Sequence, residues 1–238
     1  MPPSATPEAA DVAGKSWPFL LGLLLLAVGF QIHFSINSAG QYLKFSKAEN
    51  LEWLMPVFWL GFGVAMMPGS ALCKRFGTLH LMVVSAVLGA LGAYASASAG
   101  SLDTLIAAQV VAGGAWGSML MCGFTAAMAA GRTGREGLSL GLLFAMLAAA
   151  TLSRIATVLS GVTKQADYAP MFSWVPVLCW SAGALLIGML VLRRRNKTTQ
   201  RAQPGERVSA LIAWLRSIVT TPTLCQTYIW RISEPISC

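Results

Sequence analysis

Charged side chains are scarce in this sequence. Asp, Glu, Lys and Arg make up 11% of its 238 residues, whereas 55% of the residues are hydrophobic. Soluble globular domains carry about 25% charged residues, so this chain has too little polar surface to cover a water-soluble globule of its size. The scarcity of charge excludes an ordinary soluble domain and favours an integral membrane protein.

Motifs for metal binding, disulfide frameworks and catalysis are also missing. The 5 cysteines form no CxxC pair and no Cys/His cluster. The sequence has no HExxH, no GxSG followed by a histidine, no pair of aspartates within an apolar run and no glycine-rich phosphate loop. We therefore predict no cofactor, no metal ion and no enzymatic activity.

Basic residues outnumber acidic ones, and the formal net charge is +8. Such an excess can indicate nucleic-acid binding when the charges share one face. Here the basic residues stand in short clusters between apolar runs, which is the pattern that membrane topology produces. We predict a lipid bilayer as the surroundings of this chain and no nucleic-acid partner.

Six apolar runs are long enough to cross a membrane, for which about 20 mostly apolar residues suffice. They predict an all-α integral membrane fold. Small residues at GxxxG spacing, such as Gly113 and Gly117, favour close packing of these helices. The predicted spans are residues 17–37, 51–72, 79–99, 102–130, 138–161 and 171–192.

The ends of the chain differ in composition from the six-helix domain, predicted at 17–195. Residues 1–16 are Pro/Ala-rich and do not resemble a signal peptide, since no clear cleavage site follows the first apolar run. Residues 196–238 read as a tail, either disordered or aberrant, with an interfacial helix near 208–219 as one alternative.

The distribution of Lys and Arg predicts the orientation. With six spans, both termini share a side with the second and fourth loops, and that side is the more basic one. We therefore expect cytoplasmic termini, in a bacterial inner (plasma) membrane. The predicted cytoplasmic basic residues are Lys15, Lys74, Arg75, Arg132, Arg135, Arg193, Arg194, Arg195, Lys197 and Arg201, against Lys44, Lys47 and Lys164 outside.

Polar residues within the apolar runs are the candidate functional residues, because such groups are costly in lipid and usually face a cavity. One interpretation is a polar pathway open to the outside and lined by the first, fourth and fifth helices. The alternative is structural: Arg154 snorkels to the headgroups, His33 is a packed neutral histidine, and Gln109 bridges two helices. The candidates are His33, Gln31, Asn37, Gln109 and Arg154.

One connection carries a family resemblance. Between the second and third apolar runs the sequence reads Ser70-Ala-Leu-Cys-Lys-Arg-Phe-Gly77. It resembles the loop signature Gly-x-Leu-x-Asp-Arg-x-Gly of major facilitator superfamily transporters, with Leu72, Arg75 and Gly77 matching. Ser70 stands in place of the first glycine and Lys74 in place of the acidic residue. Gln109 likewise replaces the arginine of an Arg-x-x-x-Gly pattern in the fourth helix.

The resemblance covers residues 17–195 and implies a six-helix half of such a transporter, built as two three-helix repeats and closest in character to the C-terminal half. It implies alternating-access transport of a small solute, with the substrate site completed by a second six-helix half or a second copy. Arg154 and His33 favour an anionic solute. The alternative is a six-helix channel or a non-transporting accessory subunit.

Overall fold

The computed structural model describes residues 17–131, 134, 136–165 and 168–201, and these residues form helices and connecting turns without a β-strand. Among these residues, six helices are long and apolar enough to cross a membrane, and the predicted all-α class is confirmed. We number them span 1 to span 6: Trp17–Tyr42, Ala48–Gly69, Thr78–Ala97, Leu102–Ala129, Glu136–Leu159 and Pro170–Arg193.

Two spans are assembled from more than one helical piece. Span 1 consists of an α-helix Trp17–Ile32, a π-helical turn His33–Asn37 and a short α-helix Ser38–Tyr42. Span 2 consists of a 3₁₀ turn Ala48–Asn50, the α-helix Leu51–Leu54 and most of the α-helix Pro56–Phe76, which continues beyond the span. The remaining helices are Thr78–Ala97, Leu102–Gly131, Glu136–Leu159 and Ala169–Arg201, with a 3₁₀ turn Val162–Lys164 after the fifth.

The chain divides into two units, residues 1–192 and 193–238. The sixth helix continues to Arg201, so the first residues of the predicted tail are helical. The N-terminal segment 1–16 and the tail beyond Arg201, with its alternative interfacial helix, lie outside the described residues.

The connection that carries the family resemblance is shorter than the sequence indicated. The second helix runs through Phe76 and the third begins at Thr78, so only Gly77 separates them. Gly77 has φ 83°, a conformation that L side chains rarely adopt and that commonly ends helices. The prediction of a loop was therefore wrong for Lys74 and Arg75, which lie in the final turns of the second helix. Ser70 and Leu72, the other motif residues before Gly77, lie in the same helix, within the predicted span 51–72.

Span 4 lies at the centre of the bundle. Of its most apolar window 61% is buried, against 11% for spans 2 and 5. It packs against spans 2, 3 and 5, and span 5 packs in turn against span 1. Span 6 joins span 1 through a hydrogen bond that the indole Nε1 of Trp180 donates to the carbonyl of Leu26 at 2.9 Å.

Glycines allow the closest of these approaches. Gly113 and Gly117 of span 4 face the carbonyl groups of Phe58 and Phe62 in span 2. The predicted role of this GxxxG pair in close helix packing agrees with that contact, because any side chain there would collide with backbone atoms.

Candidate functional site

A buried polar cluster joins the C-terminal part of span 1 to span 4. Nε2 of His33 lies 3.1 Å from Oε1 of Gln109. The amide nitrogen of Gln109 donates to the hydroxyl of Ser38 at 3.2 Å and to Oε1 of Gln41 at 3.4 Å. All four side chains are buried, and Gln109 is wholly inaccessible to solvent. The structure thus brings together two of the sequence candidates, His33 and Gln109, and adds Ser38 and Gln41.

The π-helical turn explains why these residues converge on one neighbour. In a π-turn the backbone N–H bonds to the carbonyl five residues earlier, and here Ser38 N–H bonds to His33 O. The hydroxyl of Ser38 donates to the same carbonyl at 2.9 Å. A π-helical turn contains one residue more than an α-helical turn. With this spacing the side chains of His33 and Ser38 both reach Gln109.

The imidazole of His33 faces the carbonyl oxygen of Gln109, and a hydrogen bond between them requires a hydrogen on Nε2 of His33. The ring packs between Phe58 and Trp180, with centroid distances of 6.1 and 5.6 Å. The cluster is therefore shielded from solvent. Nε2 of Gln41 is a buried donor without a partner among the described residues.

A separate pocket of about 230 Å³ lies between spans 1, 2, 4 and 5 and shares no residue with this cluster. Its polar wall is made by Gln31 and Thr151, and Gln31 Nε2 donates to Thr151 Oγ1 at 2.9 Å. The hydroxyl of Thr151 donates to Leu147 O. Gln31 is thus the sequence candidate that faces the pocket. The other lining residues are Ala27, Phe30, Trp59, Phe62, Trp116, Leu120 and Leu147.

Four of the nine residues in the pocket wall are aromatic, and the sequence reasoning missed them. Phe30 stacks on Trp116 with centroids 4.5 Å apart, and Trp59 meets Phe62 edge to face at 5.2 Å. Phe and Trp are ordinary lipid-facing residues in a membrane span, so their presence alone did not mark a site. The available signal was their concentration in the middle of spans 1 and 2.

Asn37 and Arg154 belong neither to the polar cluster nor to the pocket lining. Asn37 Nδ2 donates to the carbonyl of Phe172 at 2.8 Å and so ties span 1 to span 6. Arg154 is half-buried on span 5, and its Nε is a buried donor without a partner among the described residues. Arg154 and Thr151 are three residues apart, which places them on the same helix face.

The residues of the family-like motif lie at the end of the second helix, apart from the polar cluster and the pocket. Leu72 is half-buried, whereas Arg75 is exposed and lies over the ring of Phe76 at 5.5 Å. The neighbouring Cys73 is buried, with its Sγ 3.3 Å from that of Cys122 in span 4. Ser70 and Lys74 occupy helical positions before Gly77.

The chemistry available at these sites is binding by hydrogen bonds and aromatic surfaces. Within the described residues, no group of three or more His, Cys, Asp or Glu side chains is placed to hold a metal ion. Comparison of the chain with protein-family models, curated proteins and solved structures finds no match to any of them.

Proposed function

We propose that this chain is a six-helix half of a secondary transporter of the major facilitator type and moves a small solute across the membrane by alternating access. The observation that carries this proposal is the pocket between spans 1, 2, 4 and 5. Its lining residues stand near the middle of every one of those four spans. Secondary transporters bind their substrates near the bilayer midplane, at the interface between repeats.

The pairing of helices supports the same interpretation. Span 4 packs against spans 2 and 3, and span 1 packs against spans 5 and 6. Exchanging spans 1–3 for spans 4–6 converts one set of contacts into the other. Such an exchange is expected for two three-helix repeats related by a pseudo-two-fold axis.

A second six-helix half completes the site in this proposal, either as a separate chain or as a second copy. Spans 3 and 6 contribute no residue to the pocket wall described above, so the pocket faces the side formed by spans 1, 2, 4 and 5. A partner on that side would enclose the solute and rock against this chain. The solute is anionic in this proposal, because Arg154 is a positive group within span 5.

The test is solute exchange in liposomes that contain the full chain together with any membrane protein that copurifies with it. Labelled organic anions should enter with saturable kinetics, and unlabelled solute inside should accelerate the uptake. A channel would instead give flux that does not saturate and shows no such acceleration. Finding only the latter behaviour would refute the transporter proposal.

His33→Ala should abolish uptake in the same assay without reducing the amount of chain in the membrane. The substitution removes the partner of a buried Gln109 oxygen and loosens the junction of spans 1 and 4, two of the four spans that line the pocket. His80→Ala is the matched control, because His80 is the other histidine of the chain and its side chain is exposed. Equal uptake by the two variants would remove His33 from the mechanism.

A further inference from the structure

We infer that span 1 has two registers beyond its π-helical turn, and that a proline in span 6 holds it in the observed one. In the second register the turn His33–Asn37 is α-helical, and the helix Ser38–Tyr42 is advanced by one residue position. The pocket residues of span 1, which are Ala27, Phe30 and Gln31, all precede the turn and keep their places. This conformational change is therefore independent of the proposed transport activity.

The π-helical turn sets the register of the helix that follows it. Its hydrogen bond from Ser38 N–H to His33 O encloses one residue more than an α-helical turn does. If His33 O accepted instead from the N–H of Asn37, residues 37–42 would move about 1.5 Å along the helix axis and turn about 100° around it. Each of them would then occupy the place that the next residue in the chain holds now.

The polar cluster can be rebuilt in the second register. Asn37 would take the place of Ser38, whose hydroxyl now accepts a hydrogen bond from Nε2 of Gln109 at 3.2 Å. The amide oxygen of an asparagine is a suitable acceptor for the same donor. His33 precedes the shifted residues, so its contact with Oε1 of Gln109 at 3.1 Å is compatible with both registers.

The helix that would move carries buried polar atoms without partners. Among the described residues, Nε2 of Gln41 and the hydroxyl of Tyr42 are two of the four buried side-chain atoms of this kind. Such atoms give up their hydrogen bonds to water without a replacement, which destabilises the state that buries them. In the second register Tyr42 would take the place of Leu43, which is 50% exposed, and its hydroxyl would regain water.

Span 6 supplies the opposing contact. Pro176 lies inside the sixth helix, and a proline has no N–H to donate to the carbonyl four residues earlier, which is that of Phe172. Nδ2 of Asn37 donates to this carbonyl at 2.8 Å. Turning Asn37 away would leave the carbonyl of Phe172 without that donor, so Pro176 stabilises the observed register of span 1.

Each register thus satisfies a polar group that the other leaves without a partner. The observed register satisfies the carbonyl of Phe172, and the second satisfies the hydroxyl of Tyr42. A minor conformation that lies a few hydrogen bonds above the major one is populated at about 0.1–10%. The second register belongs in that range.

The test is the rate at which a maleimide labels Tyr42→Cys in a cysteine-free full chain in lipid nanodiscs. Residue 42 is 1% exposed in the observed register, and the second register brings it to the surface. We expect labelling at about 0.1–10% of the rate for Leu43→Cys, because the thiol reacts only while the second register is present. Complete protection of the thiol at position 42 overturns the inference.

Deleting Ser35 distinguishes a change of register from general loosening of the helix. The shortened turn is α-helical with Ser38, Gln41 and Tyr42 in their present places, so labelling at position 42 should fall about tenfold or more. Ser35→Ala is the matched control, because it keeps the length of the turn and alters only an exposed side chain. Labelling that the deletion leaves unchanged overturns the inference.

Pro176→Ala tests the contact with span 6. The new N–H bonds to the carbonyl of Phe172 and releases Asn37, so labelling at position 42 should rise about fivefold, the effect of one ordinary hydrogen bond. Pro68→Ala is the matched control, since Pro68 also lies inside a helix but belongs to the second one. Equal labelling in the two proline variants contradicts the assigned role of Pro176.

Oxidation of the native tyrosine decides the matter if the cysteine variants do not fold. Hydroxyl radicals should oxidise Tyr42 in the unaltered chain, less after deletion of Ser35 and more in Pro176→Ala. Phe58 is the internal reference, because it is also 1% exposed and lies in span 2, which does not change register. A ratio of Tyr42 to Phe58 oxidation that is the same in all three chains overturns the inference.

Discussion

Single glycines determine how closely spans 2 and 4 approach each other. A Cβ atom added to Gly113 would collide with the carbonyl oxygen of Phe58, and one added to Gly61 would collide with that of Val110. Backbone oxygens cannot move away as the end of a flexible side chain can. The two helices are therefore in contact through their main chains, and the position of Phe58 next to His33 depends on that contact.

Gly113→Ala should lower the stability of the protein, because the methyl group would force spans 2 and 4 apart. Overpacking of this kind costs about 1–3 kcal/mol. Gly114→Ala is the matched control on the same helix, since its Cβ would make ordinary contacts of 3.4 Å with Ala65 and Gly61. The measurement is the midpoint of thermal unfolding in detergent, followed by size-exclusion chromatography. Equal midpoints for the two variants would contradict the described contact.

The separate residues of the candidate site were predictable to different degrees. Hydrophobicity and span position were enough to single out His33 and Gln109 as polar groups within the apolar runs. Their mutual hydrogen bond was not predictable, because it depends on how two helices far apart in sequence rotate toward each other. Gln41 and Ser38 were not among the candidate residues.

At the scale of elements, the sequence predicted the existence of the six helices better than their ends. Each predicted span overlaps a helix, because apolar runs of this length have few alternatives in lipid. The π-turn His33–Asn37 was not predictable, since the sequence carries no pattern that distinguishes it from an α-helical turn. The prediction of a loop near Gly77 was wrong because it took the Lys74-Arg75 pair as the end of the second helix. Charged residues commonly extend a helix beyond the membrane.

The pairing of span 2 with span 4 predicts a cross-link near the motif. Cys73 and Cys122 have their sulfur atoms 3.3 Å apart, so an oxidant should join them. Diamide would accept the two thiol hydrogens and be reduced to the hydrazine while the disulfide forms. The variant to use has serine in place of Cys179, Cys225 and Cys238, which leaves one possible pair within the chain.

After diamide treatment and unfolding, this variant should lose both maleimide-reactive thiols and recover them on reduction. A second variant with Cys122→Ala added should keep its single thiol throughout, provided that protein concentration is low enough to prevent intermolecular disulfides. If both thiols of the first variant still react after oxidation, the second helix and span 4 are not packed as described at the level of Cys73 and Cys122.

At the scale of the whole molecule, the six helices are unequally covered. Spans 2 and 5 are each less buried than any other span, and both border the pocket. Apolar side chains remain exposed along them, among them Val64 at 72% in span 2. Lipid can cover such surfaces, and so can the second six-helix half that the proposed function requires. Sequence alone could not separate these two, because lipid-facing and helix-facing residues are equally apolar.

A photo-cross-linker attached to one residue at a time distinguishes a surface covered by lipid from one covered by a protein partner. In a cysteine-free background, a benzophenone maleimide on the Val64→Cys variant should yield a protein adduct in native membranes, because the partner half lies over span 2. Val84→Cys in span 3 is the matched control, since Val84 is also a valine and is 54% exposed. In the proposed arrangement span 3 lies away from the pocket side, so its adducts should be with lipid.

An adduct of twice the mass of the chain would identify a second copy, and an adduct of another mass would identify a separate half. Lipid adducts alone at both positions would show that span 2 has no protein partner at Val64, and the alternating-access proposal would then lack the half against which this chain must move.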